Sequence, residues 1–161
     1  MLPAYALRYL LSSLEGTPSV LSALLAGIPT DSPVWDARPD PDRFSLREIL
    51  AHLADWEPVA HERIVRTATE TAPFLPNWDE EKAVLVGDYA HSEPHESLRL
   101  FTISRGVTVH TLASLAEADW SRVARREGVG ELTIERQAFL MLAHDGYHLR
   151  QVVEQVKSGI L

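Results

Sequence analysis

Apolar side chains recur along this sequence at the 3.6-residue period of amphipathic helices. No run of alternating β-branched residues flanked by hairpin turns breaks that pattern. Helices with one apolar stripe and no strands between them bury those stripes against one another, so the pattern restricts the chain to a helical bundle. The best-defined block opens at Ser45-Leu46-Arg47-Glu48, a capping box in which serine and glutamate each satisfy a backbone N–H of the other. Leu46, Ile49, Leu50, Leu53, Trp56, Ala60 and Ile64 then form a stripe that fades near Ala72-Pro73. Pro58 inside it lacks the donor that would bond back to Ala54, which predicts a kink.

Other blocks follow from their punctuation. Pro3 to Glu15 reads as a helix ended by Gly16, and Thr17-Pro18 as the cap and first position of a second short helix that runs through Leu25 to Gly27. Residues 28–44, rich in proline and aspartate, read as a surface connection. Pro73 to Ser92 is too long for a structureless loop, and Asn77 followed by Glu80 predicts a short helix over Trp78–Val86. A long helix is expected from Glu93 to about Glu117, with Leu98, Phe101, Arg105, Val109 and Leu112 on one face. Gly128 and Gly130 mark a turn; Thr133 caps a final helix, Ile134 to Lys157, which Gly159 closes. The expected fold is all-α: a four-helix bundle with short accessory helices, forming one domain over residues 1–161.

At 161 residues such a bundle buries enough surface to need no disulfide or metal staple. The absence of cysteine excludes a disulfide scaffold, a thiolate-ligated zinc or iron–sulfur site and a cysteine nucleophile. Fifteen basic against 23 acidic side chains give a net charge of −8, the wrong sign for a protein that wraps nucleic acid. Met1–Leu11 lacks the basic region of a secretory leader, and no stretch holds 18 uninterrupted apolar residues. These features predict a cytoplasmic protein with neither a nucleic-acid nor a membrane partner.

Chemistry concentrates in the seven histidines. His144 and His148 lie at i, i+4, a spacing that sets two imidazoles about 6 Å apart along one helix face, within reach of one ion. About 0.26 such pairs are expected by chance in a chain with this many histidines. His91 and His95 share the spacing, but they flank Pro94 in a polar segment and read as solvated. His144 and His148 instead follow the apolar run Ala138–Ala143, so their face is expected to point into the bundle. His52, at the edge of the first stripe, would complete a facial His₃ set if the two helices are neighbours. Three neutral nitrogens leave coordination positions open, the arrangement of a catalytic metal. The competing reading is three unrelated histidines, each hydrogen-bonded locally.

Trp35-Asp36-Ala37-Arg38-Pro39, the segment Phe44-Ser45-Leu46-Arg47-Glu48-Ile49-Leu50-Ala51-His52-Leu53 and the segment Ala143-His144-Asp145-Gly146-Tyr147-His148-Leu149-Arg150-Gln151 resemble the DinB-like superfamily. The resemblance spans nearly the whole chain in order and spacing, with Phe44 where that family often has tryptophan. It implies a four-helix bundle with a divalent transition metal (zinc, nickel or iron) held by His52, His144 and His148, and a homodimer as the assembly. It also implies transfer of a low-molecular-weight thiol, of the bacillithiol or mycothiol kind, to an electrophile. A chain without cysteine agrees with a sulfur that arrives on a small molecule, and an ion with an open position favours the thiolate, the nucleophilic form.

Alternatives remain at this stage. The same ion could activate water for hydrolysis with Asp145 or Asp55 as base, or the protein could bind metal or ligand in a stress response without turnover. Asp55, Asp145 and Gln151 are candidates for supporting the ligands or a bound water, against a solvated acidic face for Asp55 and a plain interhelical bond for Gln151. Tyr147 is read as a proton donor or a surface aromatic. Trp56, Trp78 and Met141 are read as pocket lining or core. Arg63 and Arg66 are read as contacts to an anionic thiol or as surface ion pairs.

Overall fold

The computed structural model of the chain describes residues 2–160, and the side chains of residues 2–158. Four long helices carry the architecture: α1 (Ala4–Leu25), α2 (Leu46–Thr69), α4 (Pro94–Ala113) and α5 (Ile134–Ile160). A short helix, α3 (Glu80–Val86), lies in the connection between α2 and α4. The fold is a four-helix bundle, and no helix among the described residues is long and apolar enough to cross a membrane.

Helix α2 starts as its capping box dictates: Ser45 Oγ accepts from the Glu48 N–H at 3.4 Å, and Glu48 Oε2 accepts from the Ser45 N–H at 2.8 Å. It runs through Pro58 to Thr69. Helix α1 departs from the expected break. Gly16, Thr17 and Pro18 lie inside one continuous helix whose buried face holds Leu10, Leu14, Thr17, Pro18, Leu21 and Leu25. Proline at position 18 removes the N–H that would reach the Leu14 carbonyl. Arg105 Nη1 of α4 donates to that carbonyl at 3.0 Å instead, so the helix loses a bond and no group is left unsatisfied.

Arg105 organises more than α1. Its Nε and Nη2 donate to the two Glu57 carboxylate oxygens of α2 at 2.9 and 2.8 Å, and Nη2 also reaches Asp145 Oδ1 of α5 at 2.9 Å. Thr17 Oγ1 donates to Asp145 Oδ2 at 2.7 Å. This polar layer lies along each helix between two apolar clusters. One is built around Leu14, Ile64, Leu112 and Met141, the other around Leu21, Ile49, Phe101 and Val152. Burial pulls the Arg105 guanidinium down, but its bonds to Asp145 and Glu57 outweigh that and hold it above its ordinary range.

Three short strands correct the strand-free expectation. Strand β1 (Phe74–Leu75) pairs in parallel with β2 (Val123–Arg126), which pairs antiparallel with β3 (Gly130–Thr133). Gly128 and Gly130, at φ +71° and +96°, turn the hairpin between β2 and β3, a geometry that favours glycine. Other boundaries also move. Helix α3 is capped by Asp79, whose Oδ1 accepts from the Lys82 N–H at 3.0 Å, and not by Asn77. Helix α4 ends at Ala113, and Glu117 begins a separate 3₁₀ turn, Glu117–Ser121. Thr133 Oγ1 accepts from the Arg136 N–H at 3.2 Å as α5 begins, and α5 continues past Gly159 to Ile160.

Candidate metal centre

His52 lies on the buried face of α2, two turns into the helix, with Ile49 and Leu53 beside it in the core. His144 and His148 project from consecutive turns of α5. The bundle sets these helices so that the three rings meet. His52 Nε2 lies 3.0 Å from His144 Nε2, which lies 3.1 Å from His148 Nε2. Of Asp55, Asp145 and Gln151, Gln151 is the one hydrogen-bonded to a ring, that of His148.

The convergence has the dimensions of a ligand set. Two nitrogens each about 2.1 Å from a common ion, at angles between 90° and 109°, stand about 3.0–3.4 Å apart. The protons agree with this. His148 Nδ1 donates to Gln151 Oε1 at 2.8 Å, so its Nε2 carries the lone pair. His52 Nδ1 lies 3.4 Å from the Glu80 carboxylate, and Nδ1 of both His52 and His144 is buried without a hydrogen bond. One proton can bridge one pair of nitrogens, but it cannot serve three that point at a single centre. A divalent cation can.

Electrostatics keep the rings in the ligating form. Burial pushes His52 down to about 3, helped by the neighbouring His148. His144 falls to about 3, again chiefly by burial, with His148, His52 and Arg105 adding to it. Burial lowers His148 as well, opposed by its bond to Gln151 and the charge of Asp145. All three are therefore neutral at pH 7, with nitrogen lone pairs available. Trp56 stacks on His144 with ring centroids 4.4 Å apart and planes 30° from parallel, fixing that ring's orientation.

Above the histidines opens a pocket of about 900 Å³. Trp56, Trp78, Val84 and Leu140 give it apolar walls; Arg43, Glu80, Glu81 and Arg126 give it charge. Tyr147 is half exposed at its edge, and its hydroxyl accepts from Gln151 Nε2 at 3.2 Å.

The two aspartates lie elsewhere. Asp55 is exposed and accepts from the Tyr89 hydroxyl at 2.7 Å. Asp145, fully buried, spends its oxygens on Arg105 and Thr17 and lines no part of the pocket. Neither is placed to act as a base on a pocket ligand. Met141 is core, Arg66 pairs with Glu70 at 2.9 Å, and the buried Arg63 donates to the Pro76 carbonyl at 2.8 Å. Glu80, Arg43 and Arg126 were not singled out from the sequence. Glu80 stood there only as a helix-start residue, and no local pattern marks Arg126, whose position depends on the hairpin.

The family model of the DinB superfamily matches residues 13–152. No curated protein matches the chain. Among solved structures, YfiT from Bacillus subtilis, described as a probable metal-dependent hydrolase with an unusual four-helix bundle topology, is similar over 98% of this chain and 90% of that one. The TM-score is 0.89 at 21% sequence identity, a likeness of fold.

Proposed function

The chain belongs to the DinB superfamily, and on that premise we propose that it is a metal-dependent enzyme. His52, His144 and His148 hold one divalent transition metal, and the pocket receives a low-molecular-weight thiol and an electrophile. The observation that carries this reading is the meeting of three Nε2 atoms, 3.0 and 3.1 Å apart, at the floor of an open pocket. A bound divalent ion supplies Lewis acidity, which favours the ionised form of a thiol whose free pKa is about 8.5.

The chain's own residues do the rest. Burial keeps the three imidazoles neutral, and Gln151 holds the proton of His148 on Nδ1, facing away from the centre. Glu80, at the pocket wall with its carboxylate 3.4 Å from His52 Nδ1, accepts the thiol proton in this reading. The sulfur then forms a bond to the electrophilic carbon, and the leaving group departs with its electron pair. Trp56, Trp78 and Leu140 keep water from the apolar part of both reactants.

A second reading, favoured by the description of YfiT, puts water in the thiol's place and makes the protein a hydrolase with the same histidines and Glu80 as base. The two separate in one assay. Zinc- or nickel-loaded protein is given a haloaromatic electrophile with a panel of thiols, and in parallel an activated ester and an amide without thiol. Chelator-sensitive consumption of the haloaromatic that requires thiol supports the transferase. Chelator-sensitive hydrolysis without thiol supports the hydrolase. Metal uptake without either turnover makes the protein a binding module, and a protein that takes up no metal overturns all three.

A further inference from the structure

We propose that Arg126 and Arg63 form an anion-binding subsite beside the histidine centre, and that the protein's ligand therefore carries a carboxylate at the end remote from its metal-binding group. This rests on the proposed function for the metal-binding end and stands on separate residues for the anionic end.

Most arginines of the bundle are partnered. Arg38 pairs with Glu48, Arg47 with Asp36, Arg99 with Glu96, and Arg105 with both Glu57 and Asp145. Several arginines have no carboxylate within ion-pair distance among the described residues, and of these Arg63 and Arg126 lie together, lining one recess. Arg126 Nε is buried and has no hydrogen-bond acceptor. Arg63 is 8% exposed and gives one bond, to the Pro76 carbonyl. The two guanidiniums are close enough that Arg126, after burial itself, helps push Arg63 below its ordinary value. Arg63 is buried and Arg126 half-buried with its Nε enclosed, and although the charge of Glu62 partly offsets that of Arg63, an anion between the two guanidiniums is favoured.

Their placement says what the anion belongs to. Arg126 lines both the main pocket and a narrow recess of about 30 Å³ behind it, where it meets Arg63. Trp56 and Leu140 also line both spaces, making an apolar path from the histidines to the arginines. Glu80 and Glu81 stand at the pocket's wall and direct negative charge away from themselves. A ligand with a thiol at one end, an apolar middle and a carboxylate at the other matches this sequence of surfaces. Guanidinium and carboxylate also match in geometry, two N–H groups to two oxygens.

Binding is measured by tryptophan fluorescence, which Trp56 reports from within the path. Zinc-loaded protein is titrated with ω-mercaptocarboxylates from 3-mercaptopropionate to 11-mercaptoundecanoate, and with the mercaptoalcohols of equal length. Metal-free protein is titrated with octanoate and octanol. At the length that spans the path the carboxylate is expected to bind about tenfold more tightly than the alcohol. Octanoate is expected to outbind octanol in the metal-free protein. Arg126→Gln should remove both preferences, leave alcohol affinity and zinc stoichiometry unchanged, and differ from Arg43→Gln, which should keep the preferences. No carboxylate preference at any length, or a preference that survives in Arg126→Gln, overturns the subsite while leaving the metal centre standing. Failure to take up zinc overturns the metal reading alone, because the octanoate comparison still decides the subsite.

Discussion

Gln151 accepts the Nδ1 proton of His148 at 2.8 Å, and by doing so fixes which nitrogen of that ring faces His52 and His144. The amide lies three residues further along α5, so one helix supplies both the imidazole and the group that orients it. Replacing it by leucine keeps the volume and removes the acceptor. Gln151→Leu is expected to lower zinc affinity about 10–100-fold without changing the helical spectrum, read by competition against a chromophoric chelator. Unchanged affinity would mean that the amide is only packing.

Removing one ligand tests the centre itself. Elemental analysis of untagged wild type should give near one equivalent of metal, and His144→Ala should give none. At a metal concentration of about 100 Kd, binding to the native state contributes about 2.7 kcal/mol, worth about 5–10 °C of melting temperature in a chain of this size. That rise should vanish in His52→Ala, His144→Ala and His148→Ala, and on adding chelator to wild type. A wild type that melts identically with and without zinc would remove the ligand set.

The neutral histidines also make the metal-free protein sensitive to acid. His52 and His144 titrate near 3 when folded and near 6.5 when unfolded, so below 6.5 the unfolded chain takes up protons that the folded one refuses. Stability therefore falls as pH drops through that window, by about 1.4 kcal/mol per pH unit for each histidine well inside it. Urea midpoints of chelator-treated protein between about pH 7 and about pH 5 should show this slope, and the pair His52→Asn and His144→Asn should flatten it. Parallel slopes in the two proteins would contradict the burial argument.

Arg105 offers a test of the fold at a residue that does not line the pocket. Replacing it by methionine strands Glu57 and Asp145, both fully buried, without their cation. It also orphans the Leu14 carbonyl opposite Pro18. Arg105→Met is expected to cost about 3–5 kcal/mol in urea unfolding, the range for breaking a buried pair from one side. A loss below about 1 kcal/mol would mean that water or relaxed carboxylates take over the arginine's role.

What could be read in advance depended on how far each feature reached along the chain. The Ser45–Glu48 box is complete within four residues, and the start of α2 was legible for that reason. The stripes of α2 and α5 were local too, and with them the faces that carry His52, His144 and His148. Thr17-Pro18 looked like a helix start because the group that makes proline tolerable there, Arg105, lies 91 residues beyond Leu14. Val123–Arg126 and Gly130–Thr133 are four residues each, half of them charged or exposed, and too short to show an alternating period. Strand β1 exists only through its pairing with β2, so nothing near Phe74 announces it. Asp145 follows His144 directly in the sequence. One step along a helix is about 100° of rotation, which turns it from the pocket to the core.

The histidines stand on two long helices of the bundle, whereas Trp78, Glu80 and Arg126 stand on the α2–α4 connection and on the small sheet. None of the residues of α3 is buried, so that stretch of wall contributes little to holding the bundle together. Insertion, deletion or replacement there leaves the four-helix frame and its ring geometry intact while remaking what the pocket accepts. The ring geometry and the pocket wall are thus written on separate parts of the chain, so the wall can change what the pocket admits without rebuilding the helices that hold the histidines.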